Sequence, residues 1–363
     1  MVAAPTSIEE ASRLLAGLEP EQPVRIVGEG TNQEPVVAGS LELRTTGLDW
    51  IDARVDDLTV AVGAGVRLSE LNAVLAEARL RIALDPVADG TVGAMVATSA
   101  HGAMVWRYGG VRDLVIGATL LLADGTVAHS GGHVIKNVAG YDLAKLVCGA
   151  RGRIALVGEV VLRAHPRPQA ERGVLVASGP AELRTLLEVS LAERVEPVAI
   201  DWLAASTEAL VVFEGTERGV EAQSERLERV LRAHGIAATE LDAARLDAER
   251  TARAAFRVPR EGVVLRLAGR ASRMLAWLER TTAPPGISFA SYPGAGLVDV
   301  VADPGGAEAL PALLDDARRE GAVGEVRRAE GVDDAVGFGL VDRFAHPLVT
   351  RLADELDPER RFR

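Results

Sequence analysis

The apolar positions in the first part of the chain indicate strands that lead through glycine turns into helices. Residues 8–18 have the apolar spacing of an amphipathic helix. Residues 24–27 are mostly apolar, as in a short buried strand, and they run into Gly28 and Gly30. A second strand at 59–62 is likewise followed by a glycine turn and then by a helix expected at 68–80. Such turns can direct backbone N–H groups towards an anionic ligand.

The next part of the chain predicts a hairpin, a helix and a long strand. An Asp-Gly pair separates strands expected at 116–122 and 126–129, which is a strong hairpin signal. Residues 141–149 have a helical pattern, and 154–163 form the next strand. The closely spaced prolines in residues 165–168 then indicate a boundary between domains.

Beyond that boundary the pattern occurs twice. Each of the segments 173–233 and 262–327 contains a β-α-β-β-α series. Two ferredoxin-like units side by side predict one antiparallel sheet with helices on a single face. A last helix is expected in the tail at 344–363, with a stop at Asp357-Pro358. The pattern as a whole therefore predicts an α+β fold.

The pattern also divides the chain into domains. The first domain is expected at 1–168 and the second at 169–330, and residues 331–363 form a C-terminal segment.

The composition of the chain disfavours several classes of binding partner and cofactor. The chain has 363 residues with 52 acidic and 40 basic side chains, a net charge of −12 that disfavours nucleic acid and anionic membranes as partners. The single cysteine, Cys148, excludes an internal disulfide and a cysteine-built iron–sulfur site. No leader peptide or membrane-spanning run is evident, so we expect a soluble cytoplasmic protein, peripheral to a membrane only through a partner.

Two glycine-rich loops are candidates for binding a pyrophosphate. They lie at 28–32 and 90–98, where small residues also let a flat cofactor approach the backbone. The alternative for each loop alone is an ordinary tight turn. A Rossmann loop is disfavoured, because Gln33 replaces the third glycine and Pro35 blocks the helix that should follow.

The most specific motif is Lys-Asn-Val-Ala-Gly-Tyr-Asp at residues 136–142. This segment resembles the FAD-binding subunits of bacterial glycolate oxidase, within the vanillyl-alcohol oxidase and p-cresol methylhydroxylase (PCMH) class. The resemblance extends over 24–168 and includes Pro86 and the segments 91–98 and 108–113.

The resemblance implies a PCMH-type FAD-binding domain at 1–168, with subdomains at 1–55 and 56–168, and a cap domain, for substrate or docking, at 169–330. It also implies that the C-terminal segment, 331–363, returns to the FAD-binding domain. An extended FAD would place its pyrophosphate against 28–32, its adenine near the strand that begins at Ile154, and its isoalloxazine against 91–98 and 136–141. The candidate cofactor-binding residues are Gly28, Glu29, Gly30, Thr31, Asn32, Pro86, Thr91, Val92, Gly93, Ala94, Ala97, Thr98, Gly109, Arg112, Asp113, Lys136, Asn137, Gly140, Tyr141, Gly152 and Ile154.

No residue is assigned as the catalytic base. Lys136, Arg112 and His101 are the candidates for a catalytic role, and a cation near the flavin N1–C2=O edge would stabilise the reduced cofactor. The alternatives are a surface or ion-pair role for the two cations and a solvent-facing position for His101.

Two departures from the resembling family refine the expectation. Many of its members attach the flavin covalently through a histidine where Thr31 and Asn32 stand here, so we expect non-covalent FAD. Its metal-dependent members use clustered histidines in the second half of the chain, whereas this sequence has only His234 and His346 there. We therefore expect no metal site and a closer likeness to the accessory flavin subunit.

The resulting functional hypothesis is an FAD-dependent oxidoreductase that takes part in oxidising glycolate or D-lactate. Its electrons would pass to a partner, in a hetero-oligomer with a second flavin subunit and an iron–sulfur subunit. The alternative is a scaffold subunit, with or without flavin, that does no chemistry of its own. A flavin reductase using NADPH ranks last, because no nicotinamide loop is recognisable.

Overall fold

The computed structural model describes residues 1–20, 22–30, 37–134, 140–332 and 347–362. The strands are β1 (Val2–Ala3), β2 (Val24–Val27), β3 (Leu41–Arg44), β4 (Ile51–Arg54), β5 (Thr59–Gly63), β6 (Leu80–Arg81), β7 (Val115–Leu121), β8 (Val127–Gly131), β9 (Leu156–Arg163), β10 (His165–Pro166), β11 (Ala170–Ala177), β12 (Ala199–Leu203), β13 (Glu208–Gly215), β14 (Ala238–Leu241), β15 (Gly262–Ala268), β16 (Ile287–Tyr292), β17 (Leu297–Ala302) and β18 (Val323–Glu330). The helices are α1 (Ile8–Ala16), α2 (Leu68–Ala76), α3 (Val92–Thr98), α4 (Val105–Tyr108), α5 (Val111–Leu114), α6 (Leu143–Leu146), α7 (Pro180–Ala192), α8 (Glu217–Ala233), α9 (Ala243–Phe256), α10 (Ala271–Arg280), α11 (Leu310–Arg319) and α12 (Pro347–Leu356).

The chain forms two compact units. Among the described residues, unit 1 comprises 1–101, 109–167 and 347–362, and unit 2 comprises 102–108 and 168–332.

Unit 1 contains a small parallel sheet and a larger antiparallel sheet. The parallel sheet has the order β1-β3-β2, and α1 packs on it through Leu15 around a core that includes Leu43. The antiparallel sheet has the order β4-β5-β9-β7-β8, and α2 and α3 contribute Leu71 and Val96 to its core. The predicted hairpin is confirmed, since β7 pairs with β8 across a turn in which Gly125 has φ +88°.

The C-terminal residues are fixed to unit 1 by polar contacts. Asp357 accepts the backbone N–H groups of Arg361 (2.9 Å) and Phe362 (2.8 Å), which turns the chain after α12. The buried Arg361 guanidinium donates to the Ala123 carbonyl at 2.9 Å, and Phe362 pairs with Val24 at the start of β2. These contacts support the strand that leads into the first glycine loop.

Unit 2 is an eight-stranded sheet with the order β14-β11-β13-β12-β16-β17-β15-β18, and every neighbouring pair is antiparallel. Each half has the 4-1-3-2 order of a ferredoxin-like unit, and the halves join where β12 meets β16. The predicted α+β fold with one antiparallel sheet in the second half is therefore confirmed.

The helices of unit 2 do not all lie on one face of the sheet, which corrects the sequence-based prediction. Val174 of β11 belongs to the core formed with α7, α8, α10 and α11. Gly173, the preceding residue, instead faces Leu246 of α9. A Cβ atom added at Gly173 would lie only 2.7 Å from the Leu246 side chain. Because neighbouring strand residues face opposite sides, α9 covers the second face.

The helices expected at 141–149 and 68–80 are shorter in the structure. The first is only the turn α6, because the chain leaves helical geometry before Gly149, which has φ +83°. The second ends at Ala76, since Arg79 is left-handed and the chain continues into β6. The described part of the last helix ends at Leu356, in agreement with the stop predicted at Asp357-Pro358.

A buried ion cluster lies on the second face of the unit 2 sheet. Asp299 accepts hydrogen bonds from Arg266 Nε at 2.7 Å and from Arg257 Nε at 3.0 Å. Arg257 also donates to Asp201 at 2.6 Å. Burial opposes ionisation of Asp299, but the two guanidinium groups outweigh it and lower its pKa to about 2. The Arg257 guanidinium also lies 4.4 Å from the centroid of the Tyr292 ring.

We predict that Asp299→Asn destabilises unit 2 by about 3 to 5 kcal/mol, because it leaves two buried guanidinium groups without their shared counter-charge. Urea unfolding at neutral pH measures the change. Asp315→Asn is the matched control, since Asp315 pairs with Arg318 at an exposed position, and we expect it to change stability by less than about 0.5 kcal/mol.

The same pair of proteins tests the sign of the pH dependence. A carboxylate with a lowered folded-state pKa stabilises above its unfolded value of about 3.9. The stability difference between parent and Asp299→Asn should therefore be constant above about pH 4 and shrink as the pH falls towards 2. A difference that grows on acidification would contradict this account.

Residues 102–108 pack into unit 2 through Trp106 and Tyr108. The Tyr108 hydroxyl donates to Glu214 at 2.9 Å. Trp106 lies so close to Gly294 that a Cβ there would sit 1.4 Å from its Cε3 atom. A glycine at position 294 is therefore required for this contact.

We predict that Gly294→Ala displaces the Trp106 ring and destabilises unit 2 by about 1 to 3 kcal/mol through overpacking. Thermal unfolding and tryptophan emission report the two effects. Gly305→Ala is the control, because a Cβ at position 305 has room. Its nearest contact would be Asp303 Oδ1 at 3.4 Å. Equal stability of the two variants would refute the packing argument.

Candidate functional site

Unit 1 contains an open cleft with an empty volume of about 910 Å³, including its mouth. Its walls come from β2 and the loop after it, from α3, and from the turn and strand around β9. The lining residues are Val24, Arg25, Ile26, Val27, Gly28, Glu29, Gly30, Thr45, Gly93, Ala94, Ala97, Thr98, Arg151, Gly152, Arg153, Ala155 and Val157.

The first glycine loop packs directly against the start of α3. A Cβ atom at Gly28 would lie 2.4 Å from Thr91 Oγ1, and Gly30 has the left-handed φ of +78°. The same Thr91 hydroxyl accepts the Ala94 N–H at 3.3 Å and so caps α3. Glycine is therefore required for the loop to approach the helix.

The opposite end of α3 is fixed to the turn that precedes β9. Gly149 N–H donates to the Val96 carbonyl at 2.9 Å, and Arg151 N–H donates to the Ala97 carbonyl at 2.8 Å. Arg151 has a φ of +51°, which is uncommon for a residue with a side chain. These contacts bring the arginines of this turn to the cleft.

Among the described residues, cationic side chains outnumber acidic ones in the cleft. Arg25, Arg151 and Arg153 line it, and Glu29 is the one carboxylate among the described lining residues. Arg25 is partly balanced by Glu42, 3.5 Å away. Such a lining favours an anionic ligand, and the small residues on α3 leave room for it.

The structure brings together part of the predicted cofactor set. The predicted residues that line the cleft are Gly28, Glu29, Gly30, Gly93, Ala94, Ala97, Thr98 and Gly152. Thr91, Val92 and Ile154 are buried beside it and support its walls. Thr31, Asn32, Lys136 and Asn137 lie outside the described residues.

The remaining predicted residues lie away from the cleft lining. They are Pro86, Gly109, Arg112, Asp113, Gly140 and Tyr141. Asp113 accepts the Gly110 N–H at 2.9 Å and stabilises its own turn, while 90% of the Tyr141 side chain is exposed.

The candidate His101 is engaged by its own backbone. Its Nδ1 lies 2.7 Å from the Ser99 carbonyl oxygen. Because a carbonyl oxygen can only accept a hydrogen bond, Nδ1 carries the proton in this contact. Burial raises the pKa of Cys148 to about 11, although the nearby Arg112 opposes the shift, so its thiol stays protonated at neutral pH.

The arginines of the cleft were not among the cofactor-binding residues predicted from the sequence. Arg25 lies within a strand, and Arg151 and Arg153 flank Gly152 in a turn. The sequence did contain an indication of these residues, because Arg151 and Arg153 lie beside two turn glycines immediately before a buried strand.

Within the described ranges, no group of three or more His, Cys, Asp or Glu side chains is arranged to hold a metal ion. The helices in the same part of the chain are all too short or too polar to cross a bilayer.

Comparison with known proteins identifies the ligand class of unit 1. Residues 1–131 match the model of the FAD binding domain family. D-lactate dehydrogenase of Archaeoglobus fulgidus is 28% identical over 61% of this chain and 56% of its own length. The glycolate oxidase subunit GlcD of Bacillus subtilis is 29% identical over 59% of this chain and 47% of its own length. The chain thus spans about half the length of these relatives.

A solved structure of alkyldihydroxyacetonephosphate synthase covers 99% of this chain and 75% of its own chain with a TM-score of 0.73. The sequence identity is 16%, so this likeness shows the fold alone.

The residues present fit the nucleotide end of FAD. The glycines at 28, 30 and 152 allow the backbone to approach a diphosphate, and Arg151 and Arg153 supply opposite charge. Most of the cleft lining, from Val24 to Thr98, falls within the matched domain.

We predict that Ala97→Phe fills the cleft and weakens FAD binding by at least about 100-fold, because the ring would occupy the cofactor's volume. Titration of the flavin-free protein, followed by flavin fluorescence, gives the dissociation constant. Ala73→Phe, at an exposed position of α2, is the control and should bind FAD as the parent does. Unchanged binding by Ala97→Phe would exclude this cleft.

Proposed function

We propose that the protein is an FAD-dependent oxidoreductase acting on a small 2-hydroxy acid such as glycolate or D-lactate, because residues 1–131 match the model of the FAD binding domain family. The observation that carries the proposal is the coincidence of this domain with the cationic, glycine-lined cleft. The relatives named D-lactate dehydrogenase and glycolate oxidase subunit support the substrate class.

We propose a division of labour between the units. Residues 1–168, with the C-terminal segment, hold FAD, and residues 169–330 serve as a cap for substrate or docking. FAD supplies a hydride acceptor at its flavin N5 atom. The residues of this chain would bind the diphosphate at 28–30 and at Arg151 and Arg153, and the small residues of α3 would give the extended cofactor a flat wall.

The cofactor is proposed to be dissociable and its electrons to leave through a partner. Thr31 and Asn32 provide no histidine for a covalent flavin bond. The chain has one cysteine, too few for an iron–sulfur cluster of its own, so an iron–sulfur relay would be supplied by a partner protein.

A visible spectrum tests flavin binding and its linkage. We expect the purified protein, loaded with FAD if necessary, to show flavin absorption, and acid precipitation to release the flavin into the supernatant. A protein that stays colourless with added FAD would overturn the proposal, and flavin retained in the pellet would overturn its non-covalent form.

Anaerobic reduction tests the chemistry on the same sample. Glycolate or D-lactate should bleach the flavin, with succinate as the control acid that lacks the hydroxyl group. Bleaching that requires added partner subunits would assign the flavin to electron relay. No bleaching even in the complete complex would favour the scaffold role.

A further inference from the structure

The cofactor loop carries an acidic side chain, Glu29, where a diphosphate is expected. A carboxylate beside a phosphate is repulsive unless its charge is balanced. Glu29 lines the cleft, and its Oε1 atom accepts a hydrogen bond from Arg67 Nη1 at 2.6 Å. Arg67 itself is not a cleft-lining residue, so it acts on the cleft through Glu29.

Arg67 is held in place from its other side. Its Nε donates to Asp89 Oδ2 at 3.0 Å. Asp89 is fixed in turn by Ser69, whose hydroxyl donates to Oδ2 at 2.7 Å and whose backbone N–H donates to Oδ1 at 3.2 Å. The Arg67 guanidinium is therefore clamped between two carboxylates with defined geometry.

The backbone of Arg67 also contributes to this arrangement. It forms a bridge to Thr91, the residue that contacts Gly28 and caps α3. Its N–H donates to Glu70 at 3.3 Å at the start of α2. The hydrogen bonds from Asp89 and Glu29 raise the pKa of Arg67, so it is a cation throughout the physiological range.

We propose that Arg67 is a positioning residue for FAD, which neutralises Glu29 and holds its carboxylate away from the diphosphate. This inference rests on the proposed binding of FAD in the unit 1 cleft. Without Arg67, Glu29 would either repel the diphosphate or pair with the arginines that should bind it. Both outcomes weaken the binding of the cofactor.

The test compares Arg67→Met, Glu29→Gln and the double variant as full-length, flavin-free proteins titrated with FAD. Arg67→Met should raise the dissociation constant by about tenfold. Glu29→Gln should bind at least as tightly as the parent, and the double variant should recover most of the lost affinity. If Arg67 had only a structural role, removing the Glu29 charge as well would not restore the affinity for FAD.

Salt dependence supplies a second readout. The penalty of Arg67→Met should shrink when the ionic strength rises from about 0.05 to 0.5 M, because the repulsion is screened. Arg54→Met is the matched control, since Arg54 forms an exposed pair with Asp52 in the same unit, and it should leave the dissociation constant unchanged.

The outcomes separate this inference from the proposed function. A parent protein that binds no FAD would refute the function itself. If the parent binds FAD but Arg67→Met binds equally well, or Glu29→Gln binds more weakly than the parent, the inference is wrong. The latter result would assign Glu29 to a direct contact with the cofactor, such as a ribose hydroxyl. If Arg67→Met does not fold, Glu29→Gln alone decides between these results.

Discussion

Close packing of the backbone around Gly28 is the constraint on which the cleft depends. A side chain there would collide with Thr91 Oγ1, which also caps α3. At the same end of α3, a Cβ at Gly93 would lie 2.7 Å from the Ala64 Cβ. Because both contacts tolerate only glycine, α3 keeps a fixed distance from the first glycine loop and from the turn after β5. The wall of the cleft is therefore set by backbone atoms and small side chains.

Charge has a different role in each unit. In unit 2, Asp299 is fully enclosed and matched by two guanidinium groups, so the cluster can hold the sheet and α9 together but offers no exposed charge. In unit 1, the arginines lie in an open cleft, and the Glu29 carboxylate that lines it is balanced by Arg67. The first arrangement serves structure, and the second is suited to an anionic ligand.

Local features of the fold and site could be predicted from the sequence, whereas features made by tertiary contact could not. The strands β2 and β5, the hairpin and the glycine turn at 28–30 follow from short-range patterns. The second predicted glycine loop, 90–98, instead consists mostly of helix α3. Helix α9 was missed because it is rich in charged residues and buries few apolar side chains, chiefly Leu246. Arg25 and Arg151 reach one cleft only because a parallel sheet and the turn before β9 meet there. The sequence separation between them hides that proximity.

The central claim is that the unit 1 cleft holds the diphosphate of FAD between the first glycine loop and the turn before β9. A crystal structure of the FAD complex tests it most directly. The account predicts phosphate oxygens at about 3 Å from backbone N–H groups of residues 28–30 and from the Arg151 or Arg153 guanidinium. A diphosphate bound elsewhere, with this cleft filled only by solvent, would contradict it.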